Sequence, residues 1–119
     1  MKLRKLGNST LERTPIGLGA WAIGGEWRFG WGPQDDAASI ATIRRAIERG
    51  LNWIDTAAIY GLGHSEEVVG QALRDIPRGD RPYVFTKCSL VWDAAGNTSH
   101  SLDPQSIRRE VELSLRRLQ

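Results

Sequence analysis

A chain of 119 residues with 40% hydrophobic and 25% charged residues has the composition of one ordinary globular domain. The net charge of +2 comes from 16 basic and 14 acidic side chains mixed along the same stretches, with no basic patch interleaved with aromatics, which excludes the usual nucleic-acid modules. The lone cysteine, Cys88, excludes an internal disulfide, and no apolar run is long enough for a signal peptide or a membrane span, so the expected location is the cytoplasm.

Taken in chain order, the first twenty residues read as short strands. Leu3, Leu6 and Leu11 are separated by the turn signal Gly7-Asn8, and Thr14-Pro15 breaks the run. Residues 16–20 form a short apolar strand, so a small hairpin is predicted to lead into a first core strand. Three of the five tryptophans, Trp21, Trp27 and Trp31, follow in a glycine-rich stretch. Glycine makes that stretch a loop, and its flat aromatic surfaces suit either a planar ligand or a fold back onto the core.

Residues 35–49 have helical spacing, with Ile40, Ile43 and Ile47 on one face and Asp35 and Asp36 in the first turn. Gly50 follows as a stop, and 51–55 reads as a buried strand. A second helix is predicted over 65–73, with Ser65 as its N-cap. Pro77, Gly79 and Pro82 punctuate the next loop, and 83–87 is the third strand. Residues 88–102 read as a long loop, of the kind that is usually functional. Asp103-Pro104 then opens a third helix whose stripe is Ile107, Val111, Leu115 and Leu118. A hairpin followed by strand–helix three times implies an α/β fold with a parallel sheet.

In such folds, chemistry gathers at the carboxyl ends of the strands. Asp55 ends the second strand, Tyr60 lies five residues on, and Lys87 ends the third strand. Neighbouring strands are about 4.8 Å apart, so Asp55 and Lys87 can pair. Each residue alone is an ordinary loop cap, packed aromatic or solvated cation. Together they form a proton-delivery device. Reducing a carbonyl leaves charge on oxygen that needs a proton, and a tyrosine can donate one. Its ordinary pKa of about 10 is high, and a nearby ammonium favours the phenolate. Acid, tuner and anchor would be Tyr60, Lys87 and Asp55.

The stretch Gly50-Leu-Asn-Trp-Ile-Asp55-Thr-Ala-Ala-Ile-Tyr60-Gly-Leu-Gly-His-Ser65-Glu-Glu-Val-Val-Gly70 resembles the aldo-keto reductase signature. Gly17-Leu-Gly-Ala-Trp21-Ala-Ile-Gly-Gly25 resembles that family's first strand and loop, and Thr86-Lys87 its third strand end. The resemblance implies a (β/α)8 TIM barrel, here incomplete, since a full barrel needs roughly 250 residues. The expected content is the N-terminal hairpin and the first three βα units, in one partial domain. It implies NADPH-dependent reduction of small aldehydes or ketones, with NADH left open. It carries catalytic roles over to Asp55, Tyr60 and Lys87, and puts Ala20, Trp21 and Asp55 near the nicotinamide end of the cofactor. Trp21, Trp27 and Trp92 are expected to line the substrate pocket. The family's catalytic histidine and its grip on the cofactor's 2′-phosphate have no counterpart in this chain. The fragment alone is therefore expected to be inactive.

His64 reads as a surface or capping residue and His100 as a solvated loop residue; neither matches the family histidine. Cys88 reads as a buried thiol. Gly61-Leu-Gly-His lacks the lysine and spacing of a phosphate loop, and no metal-ligand cluster is legible. Two rival readings stay open: a Schiff-base lyase using Lys87, and a non-catalytic regulatory protein that binds the cofactor. Oligomeric state is not legible.

Overall fold

The computed structural model describes residues 2–119. β1 (Arg4–Lys5) and β2 (Glu12–Arg13) pair antiparallel, with Lys5 opposite Glu12. Gly7 takes φ 56° in the turn between them. This hairpin is fastened to the next sheet by Asn52. The Asn52 amide donates to the Glu12 carbonyl at 2.8 Å and accepts from the Thr14 N–H at 2.8 Å.

β3 (Leu18–Gly19), β4 (Trp53–Asp55) and β5 (Tyr83–Phe85) form a parallel sheet in the order β3-β4-β5. Gly19 pairs with Asp55, and Asp55 with Phe85, so the three strands end level with one another. The strands are shorter than the apolar runs that mark them, and Lys87 lies two residues beyond β5.

α1 (Asp36–Glu48) starts where the Asp35 carboxylate accepts from the Ala38 N–H at 2.7 Å, and stops before Gly50 at φ 88°. α2 (His64–Leu73) and α3 (Pro104–Leu118) complete the layer of helices. The core lies between sheet and helices: Ile54 from β4, Ile43 from α1, and Val68, Val69, Ala72 and Leu73 from α2, with Ala20 and Ile23 closing one end. Burying each Val or Ile there contributes about 1.5–3 kcal/mol relative to exposure.

Four local expectations are corrected. Residues 88–102 are not a plain loop: β6 (Leu90–Trp92) and β7 (Thr98–His100) form an antiparallel hairpin. Its turn is built by the Asp93 carboxylate, which accepts from the Ala95 and Asn97 N–H groups. Ser65 is not an N-cap; Gly63 holds that place at φ 102°, and Ser65 is buried inside the first turn. Cys88 is exposed rather than buried. The α3 stripe is only partly buried: Leu118 packs against the core, whereas Val111 is 48% and Leu115 65% exposed. α3 instead buries Glu110 and Ser114, and approaches α2 so closely that a Cβ on Gly70 would lie 2.2 Å from the Arg117 carbonyl oxygen.

Candidate active site

Asp55 closes β4, and Tyr60 sits in the turn that follows. The Lys87 ammonium donates to Asp55 Oδ2 at 2.8 Å, to the Thr56 carbonyl at 2.9 Å and to Tyr60 Oη at 3.4 Å. Three acceptors match the three protons of an ammonium. Partial burial disfavours the charge on Lys87. The hydrogen bonds to Asp55 and Tyr60, with the charges of the same two groups, outweigh it and hold the Lys87 pKa above its ordinary value. The three side chains expected to act together are therefore joined at one rim of the sheet, and Lys87 is firmly cationic.

Tyr60 is fixed by more than its hydroxyl. The Trp21 indole stacks on the phenol ring, with centroids 5.9 Å apart and planes 16° from parallel. Trp21 Nε1 donates to the Phe29 carbonyl at 3.0 Å, which holds the indole in place. Two glycines make this stacking reachable. A Cβ on Gly61 would lie 2.0 Å from the Gly24 carbonyl oxygen, and one on Gly24 would lie 2.8 Å from the Gly61 nitrogen. The loop after β3 and the turn after β4 thus touch backbone to backbone.

The other expected residues are placed differently. Trp21 is 46% exposed, so one broad face of the site stays open. Ala20 is fully buried beneath it, its N–H donating to the Asp55 carbonyl at 2.8 Å and its own carbonyl accepting from Ser65 Oγ at 2.8 Å. Trp27 packs edge-on against Phe29, with its ring N–H buried and unpartnered among the described residues. Trp92 lies on β6 under the Arg117 guanidinium, 5.5 Å from its ring centre. It lines a cleft of about 640 Å³ with Ala58, Arg109, Glu110 and Leu113, and none of Asp55, Tyr60 and Lys87 borders that cleft. His64 Nε2 bonds Asp36 Oδ1 at 2.8 Å, tying α2 to α1, and His100 is exposed on β7. Among the described residues, no group of three His, Cys, Asp or Glu side chains could hold a metal.

Sequence reasoning missed the Thr56 carbonyl as the third acceptor of Lys87, because a backbone group carries no residue-type signal. It also missed the burial of Ser65 and Glu66, which look like the polar start of an amphipathic helix.

Residues 15–119 match the family model described as the aldo/keto reductase family. The chain is 41% identical over 119 residues to the aldo-keto reductase YhdN of Bacillus subtilis, covering 100% of this chain and 35% of that protein. It is 42% identical over 129 residues to the NADH-specific methylglyoxal reductase of Escherichia coli, covering 99% of this chain and 38% of that one. A solved glycerol dehydrogenase from Gluconobacter oxydans superposes with a TM-score of 0.82 at 41% identity, over 98% of this chain and 35% of the other. The chain belongs to the aldo/keto reductase family. Its fold is the first part of a (β/α)8 barrel: the N-terminal hairpin and three βα units, the third interrupted by the β6–β7 hairpin. It spans about a third of the length of the relatives it matches.

Proposed function

We propose that the complete protein is a nicotinamide-dependent oxidoreductase that reduces aldehydes or ketones to alcohols, with Tyr60 as proton donor. The observation that carries this is the single ammonium, Lys87, shared between Asp55 and Tyr60 at the carboxyl ends of adjacent strands. The Tyr60 hydroxyl gives its proton to the carbonyl oxygen as charge develops there. The Lys87 ammonium favours the phenolate left behind, and Asp55 keeps the ammonium in place. Trp21, stacked on the Tyr60 ring and 46% exposed, offers a flat face that fits the nicotinamide end of NADPH or NADH. When bound, that group supplies the hydride. Trp21 and Trp27 belong to the loop that would flank a small carbonyl substrate, whereas Trp92 lines the separate cleft beside Arg109 and Glu110 and is not assigned to the substrate.

The choice between NADPH and NADH stays with the whole protein; the Escherichia coli relative is NADH-specific by its name. The Schiff-base reading is disfavoured by the raised pKa of Lys87, because an imine-forming lysine needs a neutral amine. To test the activity, the chain is fused to the C-terminal two thirds of YhdN and assayed for aldehyde-dependent oxidation of NADPH and NADH. Turnover that disappears in Lys87→Met supports the reading. A folded fusion that binds cofactor and reduces no carbonyl would favour the regulatory alternative.

A further inference from the structure

The residues that directly follow the three parallel strands are Ala20, Thr56 and Thr86. Two consecutive residues of α2 reach all of them. Ser65 Oγ donates to the Ala20 carbonyl at 2.8 Å and shares a hydrogen bond of 3.0 Å with Thr56 Oγ1. Thr86 Oγ1 donates to Glu66 Oε1 at 2.7 Å. Both Ser65 and Glu66 are 0% exposed. The second Glu66 oxygen accepts from Arg117 Nη1 at 2.7 Å, so both oxygens of this carboxylate are engaged inside the protein.

We infer that Glu66, acting through the Thr86 hydroxyl, is a positioning residue that sets where Lys87 leaves the end of β5 and so brings its ammonium to Asp55 and Tyr60. The inference rests on the reading of Lys87 as the group that serves Tyr60. Stability alone is a poor reason for a carboxylate in this place. An apolar side chain of similar volume commonly stabilises a core as well as a buried ion pair does, or better. What a carboxylate adds is direction. Thr86 is the residue before Lys87, and Thr56, held by Ser65, supplies the carbonyl that accepts from the ammonium. Lys87 is half-exposed on a flexible four-carbon stem, so its head is located only by its backbone origin and its acceptors. The first turn of α2 fixes both.

Glu66→Ala would strand the Arg117 guanidinium and could unfold the chain, so the hydroxyl is the better point of attack. Thr86→Val keeps shape and volume and leaves the Glu66–Arg117 pair whole. The readout is the Lys87 ammonium itself, followed by nitrogen-15 NMR in the fusion with the C-terminal two thirds of YhdN. The signal that disappears in the Lys87→Met fusion assigns the resonance. In the parent, the Lys87 ammonium protons should exchange slowly and its titration midpoint should lie above 10.5, the ordinary value. Thr86→Val should accelerate that exchange and lower the midpoint, and Thr86→Ser should restore both. A Thr86→Val chain with a native amide spectrum and unchanged Lys87 behaviour would overturn the inference. So would loss of the fold in Thr86→Val, which would assign the hydroxyl to stability. The outcome is separate from that of the function itself. If the ammonium moves as stated but the Lys87→Met fusion still turns over, the positioning stands and the catalytic reading of Lys87 fails.

Discussion

The Lys87 ammonium lies 2.8 Å from the Asp55 carboxylate across 32 residues of sequence. The parallel register makes this possible, because Asp55 is paired with Phe85 and Lys87 emerges two residues further on. The pair has a consequence for pH. The folded state holds the Lys87 pKa above 10.5, so it binds this proton more tightly than the unfolded chain does. The resulting stabilisation is fully present below pH 10.5 and is lost as pH rises through the folded value. The stability difference between the parent and Lys87→Met should therefore shrink as pH is raised past 10.5, measured by urea unfolding at a series of pH values. A difference that is constant or grows with pH would contradict the assignment.

The contact of α2 with α3 yields a stability prediction. A methyl group on Gly70 would meet the Arg117 carbonyl oxygen at 2.2 Å and the Leu118 Cα at 3.2 Å, both backbone atoms of α3 that cannot swing aside. Gly70→Ala should lower stability by about 1–3 kcal/mol, the usual cost of overpacking. That outweighs the gain of up to about 1 kcal/mol that alanine normally brings to a helix interior. Gly19→Ala is the control, since nothing lies within 4 Å of its Cβ position. Thermal or urea melts of the two variants should separate clearly, and a Gly70→Ala chain as stable as the parent would show that α3 is not docked this way.

Much of this was legible before the structure. The 50–70 stretch is specific because its residues serve local geometry: a strand end, a tight glycine turn, then a helix. The Asp55–Lys87 pair followed from strand spacing alone. The β6–β7 hairpin was not legible, since three-residue strands around an Asp93–Asn97 turn are too short for periodicity to register. The docking of α3 was not legible for a different reason. Only Leu118 of its apolar stripe packs on the core, and the contact with α2 also carries the buried Glu66–Arg117 pair, with an Arg117 side chain only 15% exposed. Ser65 and Glu66 looked like helix-start residues, and only the three-dimensional convergence of β3, β4 and β5 shows what they hold.

The exposed stripe leads to an expectation for the 119-residue chain by itself. Val111 and Leu115 stand in solvent, and β5 pairs on one side only among the described residues. Open edges and apolar surface favour association. Sedimentation at micromolar concentration should show oligomers, and Leu115→Glu should move the population toward monomer. NADPH should quench the fluorescence of the five tryptophans weakly, with no measurable aldehyde reduction. A monodisperse monomer with micromolar affinity for NADPH would contradict this account of the open site.

Proton delivery by Tyr60 rests on a hydroxyl and a ring that are held by different groups. Its hydroxyl is the only part of the residue that Lys87 reaches by hydrogen bond, at 3.4 Å, while the ring is held separately by its stacking on Trp21. Removing the oxygen should therefore leave the ring and the cofactor face intact. In the fusion with the C-terminal portion of YhdN, Tyr60→Phe should lower kcat for aldehyde reduction by about 10²–10⁴-fold, the usual worth of general acid catalysis. The dissociation constant for the nicotinamide cofactor should stay within a few-fold of the parent. A Tyr60→Phe enzyme that turns over within a few-fold of the parent would contradict the account.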